Sequence, residues 1–238
     1  MPNLKYTRAI LKLSGEFLAG PPGHGIDFAL TERICAHIKE CVGAGAQLGI
    51  VTGGGNFWRG RTSGAMDAVR ADQMGMLAIM MNALALEDAF AQLGQPVLVQ
   101  SACVMPQVAG CIDKRQALSA MASGSVVIFG GGTGNPFFTT DSAAALRAAE
   151  IEAQVVLKAT NVDGVYDKDP RKCADARKYS SLTHDEILSA RLGVMDATAA
   201  ALCRDKRIPI LVFNLNDPEN ILRALQGENV GTVIQNDP

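Results

Sequence analysis

The sequence has no surplus of basic charge. Its 238 residues include 22 Lys and Arg against 24 Asp and Glu, a formal net charge of -2. A nearly neutral chain has no overall field to attract nucleic acid or an anionic membrane. Long hydrophobic runs are missing too, both as a signal segment in residues 1–8 and as a membrane span later. We therefore expect a cytoplasmic protein that acts on small molecules and binds neither nucleic acid nor membrane.

Metal and disulfide signatures are absent. The six cysteines form no Cys-x-x-Cys pair, and the three histidines lie at no zinc spacing and beside no nucleophile motif. This pattern favours reduced thiols that pack as small hydrophobic groups, and it gives little support to a catalytic triad. A hydrophobic content of 48% is enough for one large domain or two small lobes. The best lobe boundary is near Ile151.

The two common phosphate-binding signatures also fail. No Gly-x-x-x-x-Gly-Lys-[Ser/Thr] occurs, and after Gly132 and Gly134 the third glycine of a dinucleotide fingerprint is replaced by Phe137. Residues 130–141 nevertheless form a glycine-rich segment between the apolar run Val126–Phe129 and a helix-forming stretch. Glycines allow close backbone approach, and a helix start favours negative charge. We expect an anion site of an unusual type here.

Short Val/Ile/Leu runs alternate with longer helical patterns, which predicts an α/β protein with a mostly parallel sheet. The predicted strands are Ala9–Leu13, Leu48–Thr52, Pro96–Gln100, Val126–Phe129, Val155–Lys158, Ile208–Phe213 and an edge strand at Gly231–Ile234. The predicted helices are Phe28–Gly43 with Asp27 as its cap, Asp67–Leu93, Lys114–Ala122, Ser142–Ala149, a short one opening at Thr183, Ala197–Lys206 and Asn220–Gln226.

Polar or glycine-rich segments follow four predicted strands, and ligands of open parallel sheets bind at such strand ends. They are residues 13–15, 53–55, 130–141 and 158–161. Lys12 and Lys158 each close an apolar strand, so each must reach solvent or meet an anion. We favour an anion between them. The triple glycine alone fits a tight turn equally well, and Arg59 and Arg61 after it suit either solvent or phosphate.

Several motifs together resemble the bacterial uridylate (UMP) kinases of the amino acid kinase superfamily. They are Lys12-Leu13-Ser14-Gly15, the triple glycine with Arg59, Asp72-x-Met74-Gly75-Met76-Leu77, residues 132–141 (GTGNPFFTTD), and Lys158-Ala159-Thr160 with Val162-Asp163-Gly164-Val165-Tyr166. The match runs in order through nearly the whole chain. It implies a single amino acid kinase-like domain over residues 1–238, a three-layer αβα sandwich with a UMP-side lobe over about 1–150 and an ATP-side lobe over about 151–238.

The resemblance implies transfer of the γ-phosphoryl group of Mg-ATP to UMP, giving UDP and ADP in pyrimidine nucleotide biosynthesis. Mg²⁺ would be held through the nucleotide phosphates and not by a protein metal site. The implied ATP contacts are Lys12, Leu13, Ser14, Gly15, Gly55, Arg59, Thr160, Asn161, Tyr166 and Asp169. The implied UMP contacts are Gly54, Asp72, Thr133, Gly134, Asn135, Pro136, Phe137, Phe138, Thr139 and Thr140.

Some of these residues have ordinary structural interpretations. By residue type alone, Phe137 and Phe138 would be core side chains, and Asp72 would be a solvated carboxylate near a helix start. We assign Lys12 and Lys158 to the transferring phosphoryl group. Asp141 either orients a lysine or a metal-bound water, or is simply the N-cap of the next helix.

The resemblance also implies a homohexamer, activation by GTP and inhibition by UTP. The corresponding loop departs from the family pattern, because Pro21, Pro22 and His24 stand among the expected glycines, so an allosteric response is in doubt. The segment comprises Gly20, Pro21, Pro22, Gly23, His24 and Gly25. The run Met74–Met81 suits either a subunit contact or, more simply, core packing.

Two other functions stay open from the sequence. A superfamily relative that phosphorylates a carboxylate, such as an acetylglutamate or aspartate kinase, would share the nucleotide-facing half. A nucleotide-binding sensor or oxyanion-storage subunit could use the same fold with little turnover. Asp72 and the segment 135–138 favour UMP over a carboxylate acceptor, and the two lysines favour an enzyme over a sensor.

Overall fold

The computed structural model of the chain describes residues 3–60, 64–173, 175–190 and 192–236. Arg61 lies outside these residues. The strands are β1 (Arg8–Leu13), β2 (Gln47–Thr52), β3 (Val97–Ser101), β4 (Gly110–Cys111), β5 (Val126–Gly130), β6 (Val155–Thr160), β7 (Ser181–Thr183), β8 (Ile210–Asn214) and β9 (Gly231–Gln235). The helices are α1 (Gly15–Leu18), α2 (Phe28–Gly43), α3 (Ala68–Gln92), α4 (Lys114–Ala122), α5 (Thr140–Glu150), α6 (His184–Ala190), α7 (Ala197–Lys206) and α8 (Asn220–Leu225).

All of these strands join one sheet in the order β4-β3-β5-β2-β1-β6-β8-β9-β7. Every neighbouring pair is parallel except β8 and β9. The central strands are buried on both faces, which is why they read as continuous Val/Ile/Leu runs and not as alternating patterns. In β1, for example, the consecutive residues Ala9, Ile10 and Leu11 are all fully buried.

Two hydrophobic cores cover the two faces of the sheet. Leu11 and Leu157 face the helices α2, α3 and α8, whereas Ile10 and Val156 face α4, α5, α6 and α7. Successive residues of a strand point to opposite faces, so each strand contributes to both cores. The three-layer αβα architecture with a mostly parallel sheet is confirmed.

Helix boundaries largely follow the predicted signals. Asp27 caps α2, since its carboxylate accepts from the Leu30 N–H at 2.9 Å. Thr183 and Glu186 form a reciprocal capping box at α6, with Glu186 N–H donating to Thr183 Oγ1 at 3.1 Å and Thr183 N–H to Glu186 Oε2 at 2.6 Å. Local side-chain chemistry therefore sets these helix starts.

One strand prediction was wrong. The strand at 231–234 was expected at an edge of the sheet, but β9 lies between β8 and β7. The edge is taken by β7, a three-residue strand within a polar part of the chain that carries no strand pattern. The two-residue strand β4 and the four-residue helix α1 were not predicted either. Elements this short contain too few residues to show a periodic pattern of apolar side chains.

The long helix α3 is apolar on more than its core side. By length and composition it is the one candidate for a membrane span in the described residues, yet half of its apolar window is buried within the fold. Met76 and Met80 are buried, as core packing predicts, whereas Met74 and Met81 are exposed together with Leu77. The methionine run is thus split between the core and an outward face.

The thiols match the sequence prediction only in part. All six cysteines are unpaired, and Cys35, Cys41 and Cys203 are buried. Burial raises the pKa of each of these three thiols to about 12. Cys111 is exposed and Cys103 and Cys173 are half-buried, so packing as small hydrophobic groups describes only half of the set.

Candidate active site

The centre of the sheet contains a topological switch. From β1 the chain continues to β2 on one side, and from β6 it eventually reaches β8 on the other side. Connections that leave in opposite directions open a crevice at the carboxyl ends of the two adjacent strands. Lys12 and Lys158 are register partners near these ends of β1 and β6, so their side chains stand next to each other on the same face of the sheet.

Asp141, in the first turn of α5, lies between the two lysines. Lys158 Nζ donates to Asp141 Oδ2 at 2.6 Å, and Lys12 Nζ lies 3.1 Å from Asp141 Oδ1 as an ion pair without hydrogen-bond geometry. The three side chains are only 11–15% exposed. The lysines therefore meet a carboxylate of the protein and do not extend into solvent.

Burial and the neighbouring charges shift the pKa values of Asp141 and Lys158. Burial alone would raise the pKa of Asp141, but Lys12 and Lys158 outweigh it, and the pKa of this carboxyl lies below its usual value. Burial lowers the pKa of Lys158, while the attraction of Asp141 opposes that effect. Two lysine side chains thus share one aspartate carboxylate at the mouth of the crevice.

The N-cap of α5 is not Asp141. Thr139 is the N-cap, because its Oγ1 accepts from the N–H groups of Asp141 at 3.0 Å and Ser142 at 3.4 Å. The interpretation of Asp141 as the cap was wrong. With the cap supplied by Thr139, the Asp141 carboxylate is available to bridge the lysines.

Sequence reasoning missed Asp196 and Val194, which hold this cluster from the side of α7. Asp196 caps α7 by accepting from Ala199 N–H at 2.8 Å, and its carboxylate also accepts from Thr139 Oγ1 and from Ser142 Oγ at 3.0 Å. The Val194 carbonyl accepts from Lys158 Nζ. An Asp before a helix was a visible capping signal, but its link to Thr139 crosses 57 residues and left no local pattern.

A first cavity of about 620 Å³ opens on one side of the cluster. Its wall contains most of the residues that the resemblance assigned to UMP, and also Gly55 and Arg59, which the resemblance assigned to ATP. Arg59 pairs with Glu16 there. The lining residues are Glu16, Gly54, Gly55, Trp58, Arg59, Gly60, Ala71, Asp72, Gly75, Met76, Ile79, Gly132, Thr133, Asn135, Phe138, Thr139 and Thr140.

The glycine-rich segment 130–141 forms one wall of this cavity in a conformation that needs glycine. Gly132 and Gly134 have φ of 64° and 77°, in the left-handed region. Phe137 also has a positive φ, 71°, and its N–H donates to Asp72 Oδ2 at 2.7 Å. A bulky residue rarely adopts this conformation, so the bond from α3 fixes an unfavourable turn.

The two phenylalanines are not core residues. Phe137 is 75% exposed and Phe138 is 51% exposed. Of the two, only Phe138 lines the first cavity. Asp72 is half-buried in the cavity wall, so it is not a fully solvated carboxylate. Gly134, Pro136 and Phe137 belong to the same loop but lie outside the lining.

A second cavity of about 530 Å³ lies on the other side of Lys158. It contains four residues assigned to ATP or to the chemistry: Lys158, Thr160, Tyr166 and Asp169. The Tyr166 hydroxyl donates to Asp163 Oδ1 at 2.6 Å, and Arg171 N–H donates to Asp169 Oδ1 at 3.0 Å. This wall is therefore built largely by a single polar stretch that follows β6.

Other residues assigned to ATP lie away from the second cavity. Leu13 is fully buried in the core, so only its backbone could meet a ligand. Ser14 precedes α1 and Gly15 opens it, close to the Gly53 turn. Asn161 is exposed on the turn after β6 and lines neither cavity.

The segment 20–25 is mostly exposed and follows α1. Gly20, Gly23 and Gly25 have positive φ, and His24 Nδ1 lies 3.1 Å from the Pro22 carbonyl oxygen. The proline and histidine residues therefore sit between glycine turns that still form. Gly25 N–H donates to the Asn56 carbonyl at 3.1 Å, which joins the segment to the turn after β2.

The fold and the lysine cluster define a phosphotransferase of the amino acid kinase type. The sequence profile of the amino acid kinase family matches residues 7–214, and the chain belongs to this family. Solved structures of UMP kinases are similar over nearly the full length. That from Bacillus anthracis has 35% identity and a TM-score of 0.94, covering 98% of this chain and 97% of that one.

Two further structures extend the comparison. A UMP kinase from Ureaplasma parvum shares 38% identity with a TM-score of 0.91, covering 98% of this chain and 100% of that chain. A uridylate kinase from Archaeoglobus fulgidus shares 31% identity with a TM-score of 0.71, covering 95% of this chain and 99% of that chain.

Proposed function

We propose that the protein is a UMP kinase that transfers the γ-phosphoryl group of Mg-ATP to UMP, giving UDP and ADP in pyrimidine nucleotide biosynthesis. The observation that carries this proposal is the position of the charged cluster between two cavities. Thr140 in the wall of the first cavity precedes Asp141, and Lys158 in the wall of the second cavity pairs with Asp141. A phosphoryl group passing between the cavities would pass this cluster.

The first cavity suits UMP. Asp72 offers a carboxylate acceptor for ribose hydroxyl groups, Phe138 offers an aromatic surface for the pyrimidine, and Gly54 offers a backbone N–H group for phosphate. Its lining comes entirely from residues between 16 and 140. The second cavity, assigned to ATP, is lined only by residues between 158 and 212. This division supports a UMP-side lobe up to about residue 150 and an ATP-side lobe after it.

The chemistry needs positioning and charge and no general base. The second pKa of a phosphate monoester is about 6, so near neutral pH UMP presents an anionic oxygen as the nucleophile. Lys12 and Lys158 would stabilise the negative charge on the transferring group, and Asp141 would keep their ammonium groups in place. Holding both substrates in line supplies the rest of the rate enhancement.

Mg²⁺ would enter with ATP, bound to its phosphates. The described residues contain no cluster of three or more His, Cys, Asp or Glu side chains that could form a metal site. Both oxygens of Asp141 lie within ion-pair distance of lysine amines, which suits this carboxylate to orienting the lysines or a metal-bound water. When bound, the ion would neutralise charge on the phosphates during transfer.

A kinase for a carboxylate acceptor fits the first cavity less well. Asp72 would repel a carboxylate placed beside it, whereas it can accept hydrogen bonds from sugar hydroxyls. A sensor or oxyanion-storage subunit would have no need for a buried lysine pair bridged by a carboxylate, with Lys158 in the wall of the second cavity. Neither alternative explains the cluster and the acceptor wall together.

An acceptor panel tests the proposal. Purified protein with Mg-ATP is given UMP, dUMP, CMP, acetylglutamate or aspartate, and ADP formation is measured. ADP release that depends on UMP supports the proposal. Release with a carboxylate acceptor only would assign the enzyme to that branch of the family, and tight nucleotide binding without ADP release would favour the sensor.

The same ADP assay tests regulation, and a mass measurement tests assembly. We propose a homohexamer in the cytoplasm, and the unpaired thiols support that location. We also propose GTP as an activator and UTP as an inhibitor, although the segment 20–25 departs from the family pattern. An exposed apolar stripe on α3, formed by Met74, Leu77, Met81 and Leu84, supports a subunit contact. Adding GTP or UTP to the assay and measuring the mass by light scattering checks each part.

A further inference from the structure

A pair of buried asparagines lies directly behind the Gly53–Gly55 turn. Asn82, on α3, is fully buried and Asn56 is 3% exposed. Their amides bond reciprocally: Asn56 Nδ2 donates to Asn82 Oδ1 at 2.9 Å and Asn82 Nδ2 donates to Asn56 Oδ1 at 2.8 Å. Such a pair has one remaining proton on each amide nitrogen.

Both remaining protons are used on the backbone. Asn82 Nδ2 donates to the Gly53 carbonyl at 2.7 Å, and Asn56 Nδ2 donates to the Gly25 carbonyl at 2.7 Å. Every donor of the pair is thus satisfied, which makes a buried polar network rigid. The network joins α3, the turn after β2 and the end of the segment 20–25.

The bond to Gly53 determines the direction of the next N–H group. In a planar trans peptide the carbonyl and the following N–H point in opposite directions. With the Gly53 carbonyl directed at Asn82, the Gly54 N–H points away from Asn82, and Gly54 lines the first cavity. The Gly54 N–H donates to no acceptor in the described part of the chain.

Neighbouring atoms leave no space for a side chain at Gly54 in this turn or at Gly15 beside it. A Cβ on Gly54 would lie 2.9 Å from Ala78 Cβ and 3.0 Å from the Gly75 carbonyl oxygen. A Cβ on Gly15 would lie 2.5 Å from Asn56 Oδ1. Only glycines fit here, and because glycine is the most flexible residue, the turn needs an external bond to select one orientation.

We infer that Asn82 is a positioning residue for the acceptor phosphate, because it orients the Gly53–Gly54 peptide so that the Gly54 N–H donates to that phosphate. The inference rests on the proposed function. Asn82 touches no substrate and acts through the backbone. Its loss should affect recognition of the phosphate and leave recognition of the nucleoside and of ATP unchanged.

The first experiment compares Asn82→Ala with the parent enzyme. Dissociation constants for UMP and uridine are measured by calorimetry, and the KM for ATP by steady-state assay. We expect UMP affinity to fall about 10- to 100-fold, with uridine affinity and the KM for ATP within about twofold of the parent. Equal losses for UMP and uridine, or unchanged UMP affinity, would overturn the inference.

Gln95→Ala is the matched control. Gln95 is also buried, and its Nε2 also donates to two acceptors, the carbonyls of Pro96 at 2.9 Å and Gly124 at 2.8 Å, but it lies before the amino end of β3. Both variants should lose similar thermal stability. Gln95→Ala should leave UMP affinity unchanged, and an equal loss in both variants would mean that general destabilisation explains the effect.

A measurement on the parent protein covers the case in which Asn82→Ala does not fold. In ¹⁵N-labelled protein, the Gly54 amide resonance should move when UMP or inorganic phosphate is added and stay in place with uridine. A Gly54 amide resonance whose chemical shift does not change on addition of phosphate would contradict the inference. The titration with inorganic phosphate stays informative even if the parent protein does not phosphorylate UMP. Failure of the proposed function can therefore be distinguished from failure of this inference.

Discussion

The two cavities are built in different ways. The first is assembled from distant parts of the chain, such as Asp72 on α3 and the segment 130–141, joined by a hydrogen bond between residues 65 positions apart. The second owes most of its wall to one continuous stretch after β6, with short-range bonds such as that from Tyr166 to Asp163. Substitutions in the first should therefore change its shape at a distance, whereas those in the second should act locally.

The largest expected effect is at the lysine–aspartate cluster, which follows Thr140 of the first cavity and includes Lys158 of the second. Lys12→Ala or Lys158→Ala should lower kcat about 10²- to 10³-fold, because each removes an ammonium group that stabilises the transferring charge. UMP affinity should change only a few-fold. Lys39→Ala is the control, since Lys39 lies on α2 and donates to the Leu93 carbonyl. A kcat within a few-fold of the parent value in either lysine variant would show that the replaced lysine does not stabilise the transferring group.

Asp141→Asn should lower kcat about 100-fold and change its pH dependence. Lys158 acts as a cation, so activity is lost as the pH rises through its pKa, which burial already lowers. Asp141 raises that pKa, and its replacement by a neutral amide lowers it further. The alkaline limb of the kcat profile should move to lower pH. An unmoved limb would show that Lys158 does not control it.

Asp72→Ala should weaken UMP binding about 10- to 100-fold, as expected for loss of a charged hydrogen-bond acceptor that also holds the Phe137 turn. The KM for ATP should stay constant, which calorimetry and steady-state assays can check. Asp88→Ala lies on the same helix outside the cavity and should change neither value. If Asp72→Ala binds UMP as tightly as the parent, the acceptor assignment fails.

Asp196→Ala should lower kcat about tenfold and the free energy of unfolding by about 1 kcal/mol, because it removes the cap of α7 together with the contacts to Thr139 and Ser142. Asp113 caps α4 by accepting from Gln116 N–H at 2.8 Å. Asp113→Ala should lose similar stability in urea unfolding with kcat preserved. Equal kcat values in the two variants would show that Asp196 acts only as a helix cap and does not position the active-site cluster.

The smallest effect is expected in the second cavity. Tyr166→Phe removes the hydrogen bond to Asp163 and keeps the ring, so the KM for ATP should rise less than about threefold. Tyr166→Ala removes the ring as well and should raise it further. A large change in UMP affinity in either variant would break the comparison between a long-range and a local cavity wall.

The sequence was sufficient wherever a structural signal is local. The 16 residues of α2 and the 9 residues of α4 follow the predicted boundaries, since periodicity and a capping aspartate act within a few positions. The lysines near the carboxyl ends of β1 and β6 were visible as charges within apolar runs. Signals of this kind do not specify partners, which is why β9 was expected at an edge of the sheet and not between β8 and β7.

What the sequence determined by itself is the longer helices and strands, the family, and the residue types available for phosphoryl transfer. Only the tertiary structure decided that Lys12 and Lys158 are register partners, that Asp141 bridges them while Thr139 caps the helix, and that Asn82 reaches Gly53 across 29 residues. The reason is physical: propensity and periodicity are properties of neighbouring residues, whereas charge pairing and buried amide bonds depend on packing between distant elements.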